Sequence, residues 1–72
     1  MNKSITFHGI KNVSLSALDY KYLIVMDFPY DHEKWYYGAD NNHDRANEIA
    51  MTLTDYEIGR WGVVYDISDW ER

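Results

Sequence analysis

Residues 19–29, DYKYLIVMDFP, restrict the fold of this chain more than any other stretch. Successive side chains of a β-strand point to opposite faces. Tyr20, Tyr22, Ile24, Met26 and Phe28 therefore share one side of the backbone, and Lys21, Leu23, Val25 and Asp27 the other. Apolar residues on both sides predict a central strand over 19–28. Pro29 ends it, because proline cannot donate to a ladder. The polar run 30–33 predicts a hairpin loop, with 35–39 returning as the antiparallel partner.

On either side of this hairpin the signals differ in kind. Residues 4–10, SITFHGI, alternate Ile5, Phe7 and Gly9 against Thr6, His8 and Ile10 and predict a short first strand, with Lys11 and Asn12 as a turn. Val13, Leu15 and Ala17 alternate with Ser14 and Ser16, which fits a second strand or a brief irregular connection. Ala46, Ile49, Ala50 and Leu53 recur at i, i+3, i+4 and i+7, the stripe by which a helix packs on a sheet. Asn41 or Asn42 can cap that helix, and Asp44 falls in its first turn, at the positive end of the dipole. Asp55 and Gly59 bracket the exit. Trp61, Val63, Tyr65 and Ile67 then alternate with Arg60, Gly62, Val64 and Asp66 as a last strand, and the tail 68–72 sets Trp70 among polar residues. The expectation is an α+β fold: a small antiparallel sheet of three to four strands in β-β-β-α-β order, in one compact domain over 1–72. One helix covers one face, and nothing from this chain covers the other.

Aromatic content bears on function because the chain is short. Three Trp, seven Tyr and two Phe make up 17% of 72 residues. Each ring covers about 150 to 250 Å², and a chain of this size buries only about 60 to 65% of its unfolded surface. Some rings must therefore lie at the surface, and aromatic residues are enriched at the centres of protein interfaces. Tyr22, Trp35, Tyr37, Trp61 and Tyr65 are the candidate contact residues. The net charge of -5, twelve carboxylates against seven cations with no basic block, disfavours a nucleic-acid backbone and favours a basic protein partner. Asp27, Asp31, Glu33, Asp40, Asp66 and Asp69 are the candidate acidic contacts.

Several chemistries lack their residues. The chain has no cysteine, so disulfides, thiolate nucleophiles and sulfur-bound zinc are excluded, and a cytoplasmic location is the simplest expectation. Residues 1–12 lack the apolar run of a signal peptide, and no stretch approaches the roughly 20 apolar residues of a membrane span. Asp40, Asn42 and Asp44 match the first three ligand positions of a calcium loop. Arg45 and Met51 then stand where the loop requires Gly and Glu, so helix capping explains them better. His8, His32 and His43 have no local ligand spacing, and no metal or other cofactor is expected. Asp31, His32 and Glu33 offer an acid or base on a loop with nothing to orient it. Gly9, Gly38, Gly59 and Gly62 form no phosphate cradle. No enzyme activity is expected.

In topology, strand, hairpin, strand and helix, with WYYG before a helix carrying Ala46 and Ala50, about half of the chain resembles the amino-terminal arm-binding domains of integrases. Those modules are basic and this chain is acidic, so no residue role is carried over. The expected function is a non-catalytic binding module that forms a homodimer through its aromatic sheet face or docks a basic protein. It has the character of a small phage or mobile-element inhibitor of a nucleic-acid-acting enzyme, its carboxylates imitating phosphates. The alternative is a single-strand nucleic-acid binder that stacks bases on Tyr20, Tyr22, Trp35, Tyr37, Trp61 and Tyr65.

Overall fold

The computed structural model describes residues 3–71; Met1, Asn2 and Arg72, touched by the readings of the N-terminus and the tail, lie outside them. The chain runs β1 (Ser4–Phe7), β2 (Ile10–Ser14), β3 (Tyr22–Phe28), β4 (Glu33–Asp40), α1 (His43–Leu53) and β5 (Trp61–Asp66). Short 3₁₀ turns lie at Leu15–Asp19, Pro29–Asp31 and Tyr56–Ile58. The five strands form one sheet in the order β1-β2-β4-β3-β5.

The α+β class and the single helix stand as expected, while the sheet corrects the sequence reading in strand count, order and direction. The alternation over 4–10 spans two strands. His8 and Gly9 both take positive φ, 50° and 82°, and form a two-residue turn that pairs Phe7 with Ile10. Lys11 and Asn12 belong to β2, with Asn12 held at φ 64°. β2 runs parallel to β4 through Ile10↔Lys34 and Lys11↔Trp35, so the sheet is mixed. The central strand is β3, antiparallel to β4 on one side and to β5 on the other.

The helix begins where its capping chemistry predicts. Asn42 is the N-cap and its side chain accepts a hydrogen bond from the Arg45 N–H at 3.0 Å. Asn41 has a different task, accepting from the Lys21 N–H at 2.9 Å and tying the helix entry to the start of β3. Ala46, Ala50 and Leu53 pack on Ile24, with Tyr22, Met26, Ile49 and Val64 around them. The two alanines bring the helix close. A β-carbon at Gly62 would overlap the Ala50 carbonyl oxygen.

The opposite face, expected to be uncovered, is closed by the chain itself. Leu23 and Val25 meet Phe7, Ile10 and Val13 of the first hairpin, Ala17 of the first 3₁₀ turn and Ile67. Trp70 completes the cover, with its ring 5.8 Å from Phe7, 4.9 Å from His8 and 5.6 Å from Tyr65. His8 Nε2 lies 2.9 Å from the Glu71 carbonyl oxygen. The tail is thus a packed element joining the two ends of the chain. Among the described residues, no helix is long and apolar enough to cross a membrane.

Candidate functional site

Cross-strand partners share a sheet face, so the register assigns each candidate ring to a side. Trp35 lies opposite Met26, on the helix side with Tyr22. Tyr65 lies opposite Leu23 and Trp61 opposite Asp27, both on the other side. The ladder between β3 and β4 shifts register between Ile24 and Val25, and Tyr37 is the unpaired residue, 53% exposed. The five candidate rings therefore do not form one aromatic face.

Most of these rings already have partners within the chain. Tyr22 meets His43 edge-on at 5.2 Å. Trp35 has Lys11 Nζ 5.4 Å from its ring centroid, and its Nε1–H donates to Glu33 at 3.4 Å. Tyr65 packs on Trp70, and burial raises its hydroxyl pKa above the ordinary tyrosine value. Burial raises Tyr36 in the same way. Tyr37 lines an open polar cleft with Lys3, Ser4, Asn12, Ser14, Ser16 and Tyr36, where β2 parts from β4.

Trp61 is different. Its ring meets Tyr30 at 6.1 Å and Tyr56 at 5.5 Å, and these two are 80% and 73% exposed. Tyr30 comes from the turn after β3, and Tyr56 from the turn between α1 and β5. Gly59 joins the two turns. It adopts φ 69°, and a β-carbon there would stand 2.8 Å from Tyr30 Cδ2. Ile58, 58% exposed, extends the apolar surface. Exposed Asp31 and Glu57 follow Tyr30 and Tyr56 directly, and Asp27 lies beside Trp61 in the sheet. Two cations lie close by: Arg60 is turned away, its Nε–H donating to the Leu53 carbonyl at 2.6 Å, and Lys34 stands opposite Asp27 in the sheet.

The other candidate carboxylates are engaged elsewhere. Lys11 Nζ donates to Glu33 at 2.7 Å and, with Trp35, holds its carboxyl below the ordinary range. Arg45 grips both oxygens of Asp40, at 2.9 and 3.2 Å, and lowers its pKa, helped by the Asn42 N–H. Asp66 is lowered by the Ser68 hydroxyl and N–H. Glu33 and Asp40 end β4, about 23 Å apart at 3.3 Å per residue. Asp69 is exposed in the tail. Of the six candidate acids, Asp27, Asp31 and Glu33 lie at the Trp61 end of the sheet, Glu33 being the one held by Lys11.

Sequence reasoning named Trp61 and missed Tyr30, Tyr56 and Ile58. Periodicity gives no weight to residues in turns, although an aromatic residue in each of two glycine- or proline-marked turns was a usable signal. Among the described residues, no three His, Asp or Glu side chains gather as a metal site. Comparison with protein-family models, curated proteins and solved structures finds no match for this chain.

Proposed function

We propose that this protein is a non-catalytic binding module whose Tyr30–Trp61–Tyr56 cluster docks a basic surface of another protein. The observation that carries the reading is a three-ring cluster, with Tyr30 and Tyr56 exposed, that has Asp27, Asp31 and Glu57 around it and Arg60 turned inward. A Lys or Arg side chain laid on such rings gains cation–π attraction of about 0.5 to 2 kcal/mol, and the carboxylates steer it there. Trp35 shows the same chemistry within the chain, under Lys11. An inhibitor that covers the basic channel of a nucleic-acid-acting enzyme, of the kind phages carry, is the specific form we favour. Its contact is centred on rings, with carboxylates at the rim.

The test follows Trp61 emission in a variant whose Trp35 and Trp70 are replaced by Phe. Oligo-arginine or oligo-lysine peptides should change the emission saturably and less strongly as salt rises. Tyr30→Ala and Tyr56→Ala should each weaken the response at least tenfold while the far-ultraviolet circular dichroism holds. No response at low salt removes the reading, and a response to single-stranded oligonucleotides in place of basic peptides establishes the stacking alternative.

A further inference from the structure

We infer that a second copy of this chain pairs with the outer edge of β5, continuing the sheet across a two-fold axis at Val64. This surface is separate from the Tyr30–Trp61–Tyr56 cluster. The hydrogen-bond parity of β5 supplies the first argument. The Ile67 N–H donates to the Lys21 carbonyl at 2.9 Å, and hydrogen-bonded pairs alternate along an antiparallel ladder. Trp61, Val63, Tyr65 and Ile67 therefore turn their backbone groups towards β3, and Arg60, Gly62, Val64 and Asp66 turn theirs outward. Three outward groups are occupied as this parity requires: the Arg60 N–H and C=O pair with Asp55 at 3.0 and 2.8 Å, and the Gly62 N–H donates to Thr54 Oγ1 at 3.0 Å. Among the described residues, no backbone bond engages the Val64 N–H and C=O, the Gly62 C=O or the Asp66 N–H and C=O at this edge.

The second argument is that the two edges of the sheet are treated unequally. β1, at the far edge, is four residues long and its pairing breaks register between Ile5 and Phe7, which spoils it as a template. β5 is six residues, WGVVYD, paired to β3 without a shift and with no proline, lysine or bulge. Free edges of this kind invite another strand unless they are blunted. The third argument is Met51. Asn47, Met51 and Thr54 lie on one helical stripe, and Thr54 reaches the outward N–H of Gly62, so this flank of α1 stands over the free edge. Met51 is 68% exposed there.

An antiparallel copy centred on Val64 uses these features together. Val64 pairs with the partner's Val64 through both backbone groups, and the Asp66 N–H donates to the partner's Gly62 carbonyl, while each Gly62 N–H stays on Thr54. Opposed residues share a face, so the two α1 helices lie on the same side of the continuous sheet and each Met51 turns towards the other. No charge lies opposite a like charge in this register.

Sedimentation equilibrium of the full chain should give about twice the 8.6 kDa chain mass. Val64→Pro should give a monomer with unchanged circular dichroism, because the lost N–H lies outside the β3 ladder and proline is tolerated on edge strands. The chain has no cysteine, so Val64→Cys offers a single thiol and should oxidise to a disulfide-linked dimer, the paired Cα atoms standing about 5.5 Å apart. Val63→Cys should stay unlinked. A wild-type chain that remains monomeric at high micromolar concentration overturns the inference, as does a dimer that survives Val64→Pro. If Val64→Pro fails to fold, the two cysteine variants decide, and a crosslink through position 63 and not 64 overturns the proposed axis.

Discussion

Gly62 and Gly38 both face the helix side of the sheet, and they should respond oppositely to a methyl group. A β-carbon at Gly62 overlaps the Ala50 carbonyl, a backbone atom that moves only if the helix does. Gly62→Ala is expected to cost about 1 to 3 kcal/mol in urea unfolding, as overpacked sites do. At Gly38 the nearest atom is Ile24 Cδ1 at 4.0 Å. Gly38→Ala should be neutral or stabilise by about 0.5 kcal/mol, since glycine in a strand is the entropically poorer choice. Equal effects at the two positions would contradict the close approach of α1 to β5. Single carboxyl groups shape the pH response. Arg45 lowers Asp40, Lys11 lowers Glu33 and Ser68 lowers Asp66 in the folded chain. Their contribution is complete above the unfolded carboxylate range and is lost as pH falls through the lowered folded values. Stability should thus fall on acidification, and Asp40→Asn should flatten that limb of a denaturant series. Tyr36 and Tyr65 are raised by burial, so their effect has the opposite direction. It is absent below the ordinary tyrosine range and lowers stability as pH rises through the folded values.

At the scale of elements, what the sequence disclosed tracks how local each cause is. The central strand, the hairpin at Pro29 and the helix capped by Asn42 depend on residues within a few positions of one another, and all three form where periodicity and capping predict them, except that the strand expected from Asp19 begins at Tyr22 because Asp19 closes a 3₁₀ turn. Asn42→Ala should remove about 1 kcal/mol of stability, measured by denaturant unfolding with helix loss followed by circular dichroism. The first hairpin was not legible because its turn is His8-Gly9. Turns with two positive φ values are signalled by Asn-Gly or Asp-Gly, and here His8 takes the strained place while alternation runs through the turn unbroken. The parallel pairing of β2 with β4 joins Ile10 to Lys34, and no local pattern encodes a contact of that separation. The tail misleads for a related reason. Trp70 sits among polar neighbours in sequence, yet its ring partners are Phe7, His8 and Tyr65. Trp70→Ala is expected to lower the urea midpoint, and an unchanged midpoint would show that the tail does not close this face.

At the scale of the whole molecule, the candidate surface was only half legible, because Trp61 belongs to a periodic strand while Tyr30 and Tyr56 reach it from two turns. Charge was legible as a sum of -5 but not as a distribution. Folding leaves Glu33 and Asp40 matched by Lys11 and Arg45, and it places Asp27 and Asp31 at the end that carries the exposed rings. Pairing through β5 would give this distribution a further consequence. Each Trp61 lies three residues from the Val64 axis, so the two clusters stand about 20 Å apart along the strands at 3.4 Å per residue. A rigid pair at that spacing can engage a basic surface at two points, and bivalent attachment multiplies apparent affinity about 10² to 10⁴-fold without a new contact. On a sensor coated with polylysine, the wild-type chain should dissociate at least a hundredfold more slowly than Val64→Pro. In free solution the two should bind a short oligo-lysine peptide equally well, since that probe reaches one cluster only. Raising salt should slow association of both proteins alike, because screening acts on steering. Equal dissociation of wild type and Val64→Pro from the coated sensor would show that the two clusters do not act together, even if each binds.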